Sequence, residues 1–260
     1  MAEVFIVPGP REGGELVGRH ISAQVVANPR LVLGVATGAT PLPVYGALRD
    51  SADAGVSFSR VRAFALDEYV GLPAAHPESY HSVIDREVTG PLGLKPSLVH
   101  VPDGRVEGID TAGERYEAQL VAAGGVDIQL LGIGTTGHLG FNEPGSSFAS
   151  LTRVKTLTQQ TREDNARFFG SVDEVPLHCV TQGLGTILRA RHLILLAFGQ
   201  AKAQAIAAAV EGPLTASVPG SAIQLHPHVT VVVDEAAASQ LQYRDYYQWA
   251  LDNKPQWQGL

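Results

Sequence analysis

Short apolar runs alternate with longer amphipathic stretches along almost the whole chain, and this alternation limits the fold more than any other feature. Residues 3–7, 31–36, 61–66, 98–101, 126–131, 192–196 and 229–233 read as strands, rich in β-branched and aliphatic residues. Residues 14–27, 42–52, 109–123 and 201–210 carry the spacing of helices. Such alternation implies parallel strands joined by right-handed crossovers and covered on both faces. The expected fold is therefore α/β: a single-domain, open, mainly parallel sheet with helices on both faces. No repeat or Pro/Gly/Ser-rich linker divides the 260 residues, a length that one such domain can hold.

Composition matters chiefly for what it excludes. A formal net charge of −7 argues against general binding to nucleic acid or an anionic membrane, so an anionic ligand would need a local pocket of amides, Arg and Lys. The single cysteine, Cys179, rules out an internal disulfide and any paired-cysteine zinc or redox motif. The first ten residues lack a basic start and a long apolar core, and no run approaches the roughly 18 apolar residues of a membrane span. The expectation is a cytoplasmic protein.

In an open parallel sheet, ligands bind outside the carboxyl ends of the strands, so the loop residues just beyond each strand carry the functional information. After 31–36 come Thr37, Gly38, Ala39 and Thr40, then Pro41 and a helical stretch. Pro41 suits a first helical position, with Thr40 as the N-cap residue. Free amides and hydroxyls at a helix start favour a phosphate, although no Walker Gly-Lys-Ser/Thr is present. After 61–66 come Asp67 and Glu68. One of this pair could act as a base towards carbon, or either could hold a metal or cap a turn. His76 and His81, with Pro77 between them, lack the helical spacing of a zinc pair and read as structural.

Residues 126–144, VDIQLLGIGTTGHLGFNEP, run from a strand into a glycine-rich loop that delivers His138, Asn142 and Glu143. Gly132, Gly134 and Gly137 spell the dinucleotide fingerprint, but Pro144 and Gly145 prevent the long helix that it requires. A histidine and a carboxylate at this edge suit proton transfer near neutral pH. Residues 146–169 are polar and basic, with Arg153, Lys155, Arg162 and Arg167, and read as either a mobile flap or a solvated surface. Lys202 opens the helix after 192–196, again at the sheet edge. His226 and His228 read as a strand entrance, and the aromatic stretch 243–257, including Tyr246 and Trp257, as a packing helix or oligomer contact.

FALDEYVGLPAAHPESYHSVI, LLGIGTTGHLGFNEPGSSFASLTRVKTLT and GVATGATPLPVYGAL together closely resemble the glucosamine-6-phosphate deaminase family. The likeness continues through TREDNARFF, AFGQAKAQAIAAAVEG and SAIQLHPHVTVVVDE, so it spans nearly the whole chain. It implies a modified Rossmann-like fold and conversion of glucosamine 6-phosphate and water to fructose 6-phosphate and ammonia, with no metal and no organic cofactor. By position it implies that Asp67 is the base moving a proton between C2 and C1. His138 becomes the group that opens the pyranose ring, and Glu143 its orienting partner. Thr37, Gly38, Ala39, Thr40, Arg167 and Lys202 become phosphate ligands, and residues 152–182 a mobile lid.

One departure stands out. Thr136 occupies a catalytic-relay position where members usually carry Asp or Asn, and a hydroxyl cannot carry charge. Hexameric members are activated by N-acetylglucosamine 6-phosphate, and Ser146, Arg153, Lys155, Thr156 and Tyr246 match that site. Other members are monomeric and unregulated, which leaves a homo-oligomer open here. The alternatives to a deaminase are a 6-phosphogluconolactonase-like hydrolase, which would not need Asp67, and a catalytically impaired sugar-phosphate-binding protein.

Overall fold

The computed structural model describes residues 2–255 and 258–260. In chain order the elements are β1 (Glu3–Val7), α1 (Pro10–Ala27), β2 (Val32–Val35), α2 (Leu42–Asp53), β3 (Arg62–Ala65), β4 (Asp67–Tyr69), α3 (Tyr80–Ile84), β5 (Val99–His100) and α4 (Ala112–Ala122). Next come β6 (Ile128–Leu131), β7 (Arg153–Thr156), α5 (Gln159–Asn165), β8 (His178–Thr181), α6 (Leu184–Ile187), β9 (His192–Ala197), α7 (Ala203–Val210), β10 (Val229–Asp234) and α8 (Arg244–Asp252).

Seven strands form one sheet in the order β1-β10-β9-β6-β2-β3-β5, and every pair is parallel. Alternate side chains of each strand face opposite layers. On β9, Leu193, Leu195 and Ala197 join a core with Tyr116 of α4 and Ile206 of α7, while Ile194 and Leu196 join one with Val17 of α1 and Leu48 of α2. The single-domain, mainly parallel sheet expected from the alternation is the observed architecture. From β2 the chain winds outward through β3 to β5, then returns to place β6 on the other side of β2. The crevice of an open sheet lies at such a reversal. Here it opens between the loops after β2 and β6.

Four details differ from the sequence reading. Helix α1 begins at Pro10, with proline at its start, where a missing N–H costs nothing. Helix α2 begins at Leu42, so Pro41 is the N-cap residue and no side chain caps it, which leaves the Thr40 hydroxyl uncommitted to the helix. A second, antiparallel sheet, β4-β8-β7, is absent from the sequence expectation. Its first strand comes after β3 with only Leu66 between, and its Asp67, Glu68 and Tyr69 carry no apolar run to mark a strand in the sequence. The others are four residues each, too short for a burial period to register. Residues 146–169, read as flap or surface, contribute β7 and α5, and β7 hydrogen-bonds β8 in this sheet. At the C-terminus, Tyr247 of α8 packs into the core, whereas Tyr246 and Trp249 are exposed; Trp257 lies outside the described residues. No helix among the described residues is long and apolar enough to cross a membrane.

Candidate active site

A cavity of about 700 Å³ opens at the reversal between β2 and β6. Its walls bring together Thr37, Gly38, Ala39, Thr40, Asp67, His138, Arg167 and Lys202. The size suits a small molecule.

The loop after β2 supplies one wall. Gly38 has a φ of +87° and no other residue of the loop is left-handed, so Ala39 stands there without strain. Opposite it, Lys202 ends a short 3-10 turn before α7, and Arg167 lies in the turn that continues α5. Neither cation has an ion-pair partner among the described residues. Burial pushes the Lys202 ammonium below its ordinary value; Asp164 opposes this shift and Arg167 adds to it. Two neighbouring cations and a glycine-containing loop thus share one cavity, the charge and backbone donors that an anion needs.

Asp67 sits where the chain leaves the large sheet. Leu66 N–H still donates to Val35 of β2, whereas Asp67 already pairs with Thr181 of β8. Asp67 is 5% exposed and accepts no hydrogen bond among the described residues. Burial, with the neighbouring Glu68 anion adding to it, pushes its carboxyl up to about 8. Glu68 points away and accepts backbone N–H bonds from Tyr69, Tyr80 and His81, each 2.8 Å. It therefore caps α3, and burial raises its carboxyl while these donors pull it back. The acidic pair is thus one carboxylate tied to backbone N–H groups and one that faces the cavity without hydrogen bonds among the described residues. His76 accepts from the Glu78 N–H and stacks near Phe169, in a structural role. His226 hydrogen-bonds to backbone carbonyls just before β10, as a strand entrance.

The loop after β6 positions the histidine. Gly137, with a φ of +79°, closes a turn in which Gly137 N–H donates to Gly134 O and Gly134 N–H donates to His138 O. The imidazole lies directly over Gly134, where a Cβ would come within 2.1 Å of Nε2. Gly134 of the apparent dinucleotide motif thus makes room for the His138 side chain. Thr136 Oγ1 is 2.9 Å from His138 Nδ1 and 3.3 Å from Glu143 Oε2, and His138 Nδ1 is 3.2 Å from the same oxygen. The three form a closed triangle in which Glu143 carries the only carboxylate.

Two further ligands of Glu143 escaped the sequence reading. Thr158 Oγ1 donates to Glu143 Oε1 at 3.2 Å, and Thr161 Oγ1 donates to the same oxygen. The 4% exposed Glu143 would be raised by burial, but hydrogen bonds from His138, Thr161 and Thr158 and the charge of His138 bring it below its ordinary value. The only local signal was the Thr-x-x-Thr spacing, which is common at any helix start. Arg153 donates to Asn142 Oδ1 at 2.8 Å and lies 3.5 Å from Ser146 Oγ, beside the same loop. Lys155 and Thr156 lie further along β7, while Tyr246 is on α8. Among the described residues no group of three or more His, Cys, Asp or Glu is arranged to hold a metal ion.

A buried acid, a carboxylate-paired imidazole and an anion seat in one switch-point cavity have the layout of an enzyme that moves protons on an anionic small molecule. Residues 11–232 match the model of the glucosamine-6-phosphate isomerases and 6-phosphogluconolactonases, and the chain belongs to that family. It is 59% identical to the glucosamine-6-phosphate deaminase of Streptomyces avermitilis, an alignment covering 99% of this chain and all of that protein. It is 54% identical, over the full length of both, to the glucosamine-6-phosphate deaminase of Bifidobacterium longum subsp. infantis. Among solved structures, a monomeric glucosamine-6-phosphate deaminase superposes with a TM-score of 0.89 at 39% identity, covering 92% of this chain and all of that one. A 6-phosphogluconolactonase from Trypanosoma cruzi shares the fold, with a TM-score of 0.77 at 20% identity over 93% of this chain and 97% of that one.

Proposed function

We propose that this chain is an isomerising deaminase that converts D-glucosamine 6-phosphate and water to D-fructose 6-phosphate and ammonia. The observation that carries this reading is the placing of Asp67, free of hydrogen bonds, in the same cavity as the paired His138. A lactonase needs no base at C2, whereas this reaction does. Full-length identity to proteins named for the reaction supports it.

In this reading the phosphate rests on the amides and hydroxyls of Thr37, Gly38, Ala39 and Thr40 and between Arg167 and Lys202. Its binding energy holds the sugar ring at the far end of the cavity. His138 passes a proton between the ring oxygen and the anomeric hydroxyl, with Glu143 stabilising its charged form and Thr136 completing the pairing. Asp67 then takes the C2 proton and returns it at C1. A carboxyl near 8 binds its own proton too tightly in the empty site, and the ammonium on C2 of the sugar lowers it on arrival. Protonation at C1 turns the enolamine into a C2 iminium, water adds to that carbon, and the carbinolamine so formed releases ammonia and leaves the ketone. Residues 152–182 close over the phosphate as a lid in this reading, because Asn165, Arg167 and Phe169 from that segment already line the cavity.

Purified protein incubated with glucosamine 6-phosphate and a chelator should release fructose 6-phosphate and ammonia in equal amounts, followed by coupled assays of each product. Absence of both products overturns the reading.

A further inference from the structure

The two oxygens of Glu143 serve different parts of the molecule. Oε2 faces His138 and Thr136 in the loop after β6. Oε1 is held from the other side by Thr158 and Thr161. Thr158 is the N-cap residue of α5, accepting the Thr161 N–H at 3.2 Å, and Thr161 stands in the first turn, 3% exposed. The same segment continues through Asn165, which donates to the Tyr69 hydroxyl at 3.0 Å, into the 3-10 turn that presents Arg167 to the cavity. At α-helical and 3-10 rises, Thr161 and Arg167 stand roughly 10 Å apart along the continuous stretch of α5 and this turn. One end of it grips the carboxylate behind the histidine, and the other faces the anion seat.

We infer that Thr158 and Thr161 are positioning residues that set the aim and ionisation of Glu143, and that α5 thereby couples phosphate capture at Arg167 to the proton-transfer pair. This inference rests on the deaminase reading. Capture of the phosphate restrains the C-terminal end of α5, and a short helix cannot be restrained at one end without fixing its cap. The carboxylate then meets His138 in one geometry, which the near-attack arrangement of ring opening requires. A substrate lacking the phosphate leaves the helix, and with it Glu143, unrestrained.

The test uses Thr161→Val, which keeps the shape and removes the hydroxyl, with Thr161→Ser as the conservative variant. Loss of a hydrogen bond to a charged group predicts a fall of roughly tenfold in kcat/KM. Loss of a donor to Glu143 also raises its carboxyl, so the acidic limb of the kcat/KM–pH profile should move to higher pH. Thr161→Ser should restore both. Arg167→Gln should weaken the wild type more than it weakens Thr161→Val, because the coupling is already broken in the latter. Thr158→Asn, which keeps the cap, shifts the limb in the same direction and serves if Thr161→Val does not fold. A folded Thr161→Val with an unmoved acidic limb and effects that multiply with Arg167→Gln overturns the inference while leaving the deaminase reading intact. A wild type without turnover fails the deaminase reading alone; the same double-mutant cycle is then read on glucosamine 6-phosphate binding by calorimetry, where independence of the two sites overturns the coupling.

Discussion

Asp67 and Glu68 are consecutive carboxylates in opposite environments: Glu68 accepts three backbone N–H bonds, and Asp67 accepts none among the described residues. Alternation along β4 sends one into the start of α3 and the other into the cavity. The same dipeptide thereby provides a backbone anchor and a buried carboxyl facing the cavity, and the two placements predict different consequences of substitution.

Asp67→Asn keeps the size of the side chain and removes its ability to accept a proton. Turnover of glucosamine 6-phosphate should fall by roughly a hundredfold to ten-thousandfold, measured as ammonia release. Retention of wild-type turnover would remove Asp67 from the mechanism and favour the lactonase chemistry.

The same variant has a thermal signature. Asp67 has an ordinary carboxyl value in the unfolded chain and one of about 8 in the folded chain, so the folded state binds the extra proton between those limits. Wild-type stability must then decline as pH rises from about 4 towards 8. The amide does not titrate. The Tm of Asp67→Asn should therefore exceed that of the wild type by more at pH 8.5 than at pH 5.5, and a pH-independent difference would contradict the burial argument.

Glu68→Ala strands the N–H groups of Tyr69, Tyr80 and His81, each of which costs about 1–3 kcal/mol when buried and unpaired. A Tm loss well beyond that of an ordinary surface substitution is expected, and Glu68→Gln, which keeps one acceptor oxygen, should fall between. Equal stability of all three proteins in denaturant titrations would count against the capping role.

Gly134→Ala places a methyl group 2.1 Å from Nε2 and 2.5 Å from Cδ2 of His138. The ring has the cavity to swing into, so the protein should fold with nearly wild-type Tm. A displacement of about 1 Å at a proton-transfer group predicts a loss near a hundredfold in kcat. Full activity would show that the ring need not lie where it does.

Thr136→Val tests whether the hydroxyl matters to the pairing of His138 with Glu143. With Glu143 still 3.2 Å from Nδ1, the imidazole keeps its carboxylate, so kcat should fall only about tenfold with KM little changed. A loss as large as that of Asp67→Asn would make Thr136 an indispensable member of the pairing.

The sequence by itself determined the strands of the large sheet, because burial on both faces leaves a local mark in each run. It also pointed to one sheet edge: the 37–40 loop, Asp67, His138 and Lys202 each follow a strand, parallel strands align those ends, and the four line one cavity. Spacing alone could not tell Asp67 from Glu68, since these neighbours part only when β4 pairs with β8. The meaning of Gly134 was likewise hidden, because the spacing of Gly132, Gly134 and Gly137 is the same whether Gly134 makes room for a nucleotide or for an imidazole. Thr158 and Thr161 were read within a polar stretch and meet Glu143 only through the packing of α5 against the loop after β6. Periodicity records how each residue is buried, and that is local. Which donor reaches which carboxylate oxygen is set by distances across the fold, and only the tertiary structure decided it.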